Sequence, residues 1–354
     1  MLALAPRLGA PLLWGLIAIF LLAFALAPVL LSHDVYSYLD HARLGVVHGL
    51  DPYVHPPEAV PTDPVYADVT WTAATSAYGP LFTLATYPLA WLPVGLAVAA
   101  LKAVAALSVA ALALLVARIA SWRGVDPLRA AAFVALNPLV LVHVVGGAHN
   151  DGLTMLLAMA AVAALLADRA ASAGAALVAA IATKASAAVL APFALVELTR
   201  PQPGQNDERP RRLLRALAGA AGAALAIALA AYVAFGWDWT AALGLAGENQ
   251  DRTSYMSIPI TLARLSGLDP DAVRAAALVL YALALAYLLV RTWRGYDWVR
   301  AAAWASFGLL LATAWLLPWY LVWVLPLAAI SRDRPLQLLT LALTAYQLGA
   351  RIPL

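Results

Sequence analysis

Asp34 is the first carboxylate in the chain, and it follows an uncharged stretch over residues 11–31 that is long enough to cross a bilayer. A carboxylate fixed at a membrane–water boundary beside aromatics and histidines suits a base that works on a lipid-linked substrate. Tyr36, Tyr38, Asp40, His41 and Arg43 follow it closely. Further along stand Tyr78, the run His149-Asn150-Asp151, Lys184, Glu248, Arg252 and the pair Trp319-Tyr320. Together these types suit sugar chemistry. Acids and amides bind hydroxyls, aromatic faces stack on pyranose rings, and cations meet a phosphate. Ionisable groups at membrane depth are costly, so they tend to face a cavity and act there.

Each candidate also has a structural reading. Asp34 can cap a helix, and His149-Asn150-Asp151 can cap one starting near Gly152. Lys184 can snorkel to an interface, and Trp319 and Tyr320 can belong to an aromatic belt. Lys102, inside an apolar segment, reads as a packed or snorkelling residue. His33, His41, His48 and His55 crowd one loop without the spacing of a compact metal motif, so no metal and no cofactor is expected. No glycine-rich phosphate loop follows a strand, and the basic residues do not gather into one patch; a nucleic-acid partner is not expected.

The elements that position these groups follow from composition and charge. The 354 residues are 64% hydrophobic and only 12% charged, with no cysteine. Soluble domains carry about a quarter charged residues, so the expected class is an all-α polytopic membrane protein without disulfides or a cysteine nucleophile. The first apolar helix reads as a retained signal anchor. Arginines mark four short loops, around 118–129, 200–215, 291–300 and 332–334, which places these loops in the cytoplasm. The acids concentrate in 32–77 and 237–272, which are therefore extracytoplasmic. Residues 78–92 are too short to span and read as a juxtamembrane helix at the outer surface. Crossings are expected at 94–118, 130–148, 152–168, 213–236, 273–291, 300–317, 319–330 and 335–350. Lys184 is the only charge between Arg169 and Glu197, and both ends of 172–198 must be cytoplasmic. That segment is expected to form two short helices or a re-entrant hairpin with Lys184 near its tip. The sum is about eleven membrane segments in one integral-membrane domain over 1–354, with its first large loop at 32–93 and its second at 237–272.

Several stretches resemble a known family. The aspartate after the first helix, the Gly49–Tyr53 run G-L-D-P-Y and the Y-G-P of Tyr78–Pro80 are similar to the first loop and juxtamembrane helix of GT-C glycosyltransferases. The run N-P-L-V-L-V-H-V-V-G-G-A-H-N-D-G-L, Asn137 to Leu153, resembles actinobacterial polyprenol-phosphate-mannose-dependent α-mannosyltransferases, including the α-1,6 enzymes of lipoglycan assembly. A-T-K-A-S around Lys184 and L-P-W-Y-L-V-W, Leu317 to Trp323, match the same pattern. The resemblance implies a GT-C-like bundle in a bacterial plasma membrane with its active site facing outward. It implies transfer of mannose, with inversion, from a polyprenyl-phosphate donor to a glycan or glycolipid acceptor. Asp34 would be the base, Lys184, Arg252 and Arg43 would meet the donor phosphate, and His149, Asn150, Asp151, Tyr38, Tyr78, Glu248, Trp319 and Tyr320 would bind sugar or acceptor. The competing class is a polytopic transporter or lipid-linked sugar flippase, which also uses broken helices; the lack of an internal repeat argues against it.

Overall fold

The computed structural model describes residues 9–201, 208–242, 244 and 252–349. Among them every regular element is helical and no strand occurs. Three helices are long and apolar enough to cross a membrane: α4 (Val94–Trp122), α9 (Arg209–Phe235) and α11 (Pro270–Trp293). The other elements are shorter, among them α10 (Ile258–Ser266). Exposed apolar side chains such as Leu225, Leu229 and Val233 on α9 and Leu280 and Leu283 on α11 need a hydrocarbon neighbour rather than water. The architecture is compatible with a membrane protein.

Helix α1 (Ala10–Leu26) packs on α4, and the chain then turns into α2 (Asp34–Val46). Lys102 on α4 is buried and donates to the Ala27 and Pro28 carbonyls, so it ties down the turn that leads to Asp34. One face of α2 carries Val35 and Tyr38 against Phe82 of α3 (Pro80–Thr86) and Val98 and Leu101 of α4. The rings of Tyr38 and Tyr78 meet edge to face at 4.7 Å. The stretch 78–92 forms α3 and a 3₁₀ turn, Tyr87–Trp91, short as its prolines dictate.

The apolar run 130–148 is not one helix. Asp126 caps α5 (Pro127–Ala135) by accepting from the Arg129 amide at 2.8 Å. Asn137-Pro138 then interrupts the ladder, and a π-helical turn follows over Val140–Val145. Pro cannot donate to the preceding turn, and π turns recur at functional sites. Likewise the segment expected at 300–317 ends early, in α12 (Trp298–Ala312), and the one expected at 319–330 is a 3₁₀ turn, Pro318–Trp323, followed by α13 (Leu325–Ile330). Helix α14 (Arg334–Gly349) closes the described chain.

The segment 172–198 is a hairpin of short helices. Helix α7 (Ala170–Thr183) stops at Lys184, whose extended backbone (φ −157°, ψ 128°) breaks the helix. A 3₁₀ turn, Ala185–Leu190, and α8 (Ala191–Thr199) then lead back. The Asp168–Arg212 ion pair (2.7 Å) and the contact from Arg209 to the Thr199 carbonyl place both ends of the hairpin at the start of α9. Gly174 and Gly219 let α7 and α9 touch, because a Cβ at either would collide with a backbone carbonyl of the other helix. At the tip, the Gly79 amide donates to the Thr183 carbonyl at 3.2 Å, which lays Tyr78 against Lys184's turn.

Candidate active site

Two adjacent turns deliver the first pair of polar groups. Leu31 (φ 59°) and Ala148 (φ 56°) both adopt the left-handed region that favours glycine, and the Leu30 amide donates to the Gly146 carbonyl at 3.1 Å between them. Such strain costs about 1–2 kcal/mol per residue and clusters at functional sites. Its result here is that Asp34 and His149 face each other, with Nδ1 of His149 3.6 Å from Oδ2 of Asp34. Burial pushes the Asp34 carboxyl up from its ordinary value, while the nearby Lys184 ammonium pulls it back. Burial, helped by Lys184, holds His149 well below the usual imidazole range, so the ring is neutral. It stacks on Trp319 with ring centroids 3.8 Å apart.

The second group gathers at the hairpin tip. Asp151 opens α6 (Asp151–Leu166) and is fully buried. Both of its carboxylate oxygens accept from Lys184 Nζ at 2.8 Å, and Oδ1 also accepts from Trp323 Nε1 at 2.6 Å. The Lys184 ammonium lies 5.3 Å and 5.6 Å from the ring centres of Tyr320 and Trp323, which stack on one another. Arg252 lies 4.9 Å and 5.3 Å from the ring centres of Trp71 and Trp315, which meet edge to face at 6.2 Å, and among the described residues no carboxylate pairs with it. Asp34, Tyr78, Lys184, Arg252, Trp319 and Tyr320 line one cavity of about 160 Å³.

The other candidates lie elsewhere. Asp151 and His149 stand directly behind this wall, and Asn150, between them, is buried with both side-chain polar atoms unpartnered. Tyr38 is buried beneath Tyr78 rather than on the cavity surface. Glu248 lies outside the described residues. The placement of Arg43 corrects the expectation that it meets a donor phosphate. Its guanidinium is held by both oxygens of Asp63 at 2.9 Å and by the Ala90 carbonyl, away from the cavity. His48 joins Asp63 from the other side at 2.7 Å. Asp40 belongs to this second network, where burial and the Asp63 charge push its carboxyl up to about 7. Among the described residues no three His, Asp or Glu side chains come together to hold a metal.

Sequence reasoning passed over Ser37, Trp71 and Trp315, which also line the cavity. Ser37 was reachable: it sits three residues after Asp34, on the same helical face. The two tryptophans come from irregular loops, and no local pattern marked them.

The cavity and the basic loops occupy opposite ends of α6, a 16-residue helix about 24 Å long. Asp151 begins it, and the Asp168–Arg212 pair follows its other end.

Comparison with known proteins gives the chain's relatives. A family model described as "Alpha-(1->6)-mannopyranosyltransferase, N-terminal domain" covers residues 2–200. Alpha-(1->6)-mannopyranosyltransferase A of Mycobacterium tuberculosis is 38% identical over 148 residues, which is 39% of this chain and 28% of that protein. A second alpha-(1->6)-mannopyranosyltransferase of the same organism is 32% identical over 151 residues, 41% of this chain and 25% of its own length. Alpha-(1->6)-mannopyranosyltransferase A of Corynebacterium glutamicum is 32% identical over 132 residues, 36% of this chain and 26% of the relative. The chain thus aligns with about a quarter of the length of these curated relatives. With more than half of its residues under the family model, the chain belongs to the alpha-(1->6)-mannopyranosyltransferase family.

Proposed function

We propose that this protein is a multi-pass bacterial membrane enzyme that moves mannose from polyprenyl-phosphate mannose to a glycan or glycolipid acceptor on the extracytoplasmic face. The reading includes about eleven membrane segments in one domain over 1–354. The observation that carries it is a half-buried carboxylate, Asp34, sharing one cavity with two cations and an aromatic wall.

The reaction follows from those groups. An acceptor hydroxyl attacks the anomeric carbon from the face opposite the phosphate, the carbon–oxygen bond to phosphate breaks, and the phosphate leaves with the electron pair. Configuration inverts. The hydroxyl proton passes to Asp34, whose raised pKa makes it a better base at neutral pH than an ordinary aspartate. Arg252 rests on one side against the perpendicular rings of Trp71 and Trp315, and the rest of its guanidinium is offered to a bidentate phosphate contact. Lys184 gives two of its three donors to Asp151 and keeps one for a phosphate oxygen. These cations stabilise the charge that grows on the leaving group. Trp319 and Tyr320 offer faces for a pyranose ring.

The test is transfer by the purified protein in lipid, supplied with radiolabelled polyprenyl-phosphate mannose and a panel of mannosyl acceptors. Label should move into a product one hexose longer. Transfer from a sugar nucleotide and not from the lipid donor, or transport of the lipid without transfer, overturns the proposal.

A further inference from the structure

Helix α2 turns more than its first residue toward the cavity. Asp34, Ser37 and His41 stand at positions i, i+3 and i+7, which fall on one helical stripe, and all three line the same space. The stripe runs about 10 Å along the helix. The flank of the helix that carries Tyr38, Val35 and Leu39 is packed into the protein, so the stripe cannot rotate away.

Ser37 and His41 are 3% and 4% exposed; the Ser37 hydroxyl has no hydrogen-bond partner in the protein, and the His41 ring has none beyond a backbone contact at Ala74. Unpartnered buried polar atoms are rare and costly, and a ligand is one of the few things that accounts for them. Burial pushes His41 down to about 4, so at neutral pH one ring nitrogen donates and the other accepts. A sugar hydroxyl does both as well. An imidazolium could only donate.

The charges decide which sugar this is. Lys184 acts on Asp34, at the start of the stripe, and the donor phosphate belongs near the cations. The acceptor hydroxyl must reach Asp34 from the remaining side, so its ring extends along α2 toward His41. We propose that Ser37 and His41 form a subsite that grips the hydroxyls of the acceptor hexose and selects it. This rests on the mannosyl-transfer reading above.

The test uses the full chain in lipid nanodiscs. Octyl α-D-mannopyranoside and its single-deoxy analogues are titrated while the fluorescence of the cavity tryptophans is read, and transfer kinetics are measured in parallel. His41→Phe should raise the mannoside Kd and the acceptor KM by about tenfold, leave the donor KM within about twofold, and place the loss in KM rather than kcat. His41→Gln, which keeps a donor and an acceptor, should recover most of it. One deoxy analogue should bind wild type more weakly than the parent mannoside yet bind His41→Phe no worse than the parent. If His41→Phe does not fold, Ser37→Ala carries the same comparison. The subsite is refuted if wild type does not bind the mannoside, if the variants leave acceptor Kd and KM unchanged, or if the donor KM rises instead. A wild type that binds the mannoside but transfers no mannose refutes the transfer reading and leaves the subsite standing.

Discussion

Asp34 and Lys184 can be separated experimentally because the Lys184 charge acts on the Asp34 titration. Asp34→Asn keeps the shape but cannot accept a proton, so turnover should fall by about 10²–10⁴-fold with expression and Tm unchanged; near wild-type turnover would exclude it as the base. A base works only when deprotonated, and burial raises the Asp34 pKa above 3.8. The acid limb of kcat/KM should therefore lie above the ordinary carboxylate range. Lys184 lowers that pKa, so Lys184→Gln should move the limb to higher pH, whereas Lys184→Arg should leave it in place and retain part of the activity. A pH–rate profile that ignores both substitutions would detach the lysine from the base. Lys184→Ala should also weaken donor use strongly, which a donor titration reads directly.

At the level of elements, the hairpin holds the cation at the depth of the base, and its position depends on two glycines. A side chain at Gly174 or Gly219 meets the backbone of the other helix. Gly174→Leu should therefore cost about 1–3 kcal/mol by overpacking and lower Tm, and it should reduce donor affinity by shifting Lys184 without touching the cavity. Unchanged Tm and donor KM would show that α7 tolerates the displacement. This hairpin was legible in the sequence, because one lysine between two ends expected on the same side of the membrane leaves few other arrangements. The interruption at Asn137-Pro138 was less so. A proline signals it locally, yet the surrounding apolar run reads as one span, and only the packing of α5 beside the π turn separates them. Arg43 illustrates the opposite difficulty. His41, two residues before it, faces the cavity, but two helical steps turn Arg43 toward Asp63, 20 residues away.

For the whole molecule, orientation is the property to measure, and the absence of cysteine makes that direct. Single-cysteine variants Ala59→Cys, on the exposed part of the first loop, and Ser121→Cys, exposed at the end of α4, report on opposite ends of the bundle. A membrane-impermeant maleimide applied from outside should label the first and spare the second. The reverse pattern would invert the proposed orientation and move Asp34 to the cytoplasmic face. Activity should also survive EDTA, since Lys184 and Arg252 are proposed to meet the leaving phosphate; loss with chelator and recovery with Mg²⁺ or Mn²⁺ would require a metal in that role. Charge segregation in the sequence is what supports this proposed orientation. The cavity wall from Trp71 and Trp315 was not legible there, because it joins residues far apart in the chain.

The Lys184–Asp151 contact has a consequence for how the chain is made. The carboxylate is synthesised 33 residues before its cation. During elongation α6 thus emerges with a buried acid that has no counter-charge, and the next hairpin must supply it. Removing either partner leaves a single charge in a dry place, which is far costlier than losing both. Asp151→Asn should therefore accumulate poorly in the cell, and the double replacement Asp151→Asn with Lys184→Gln should recover protein level though not transfer. Quality control in the cell would read this pair before any substrate does.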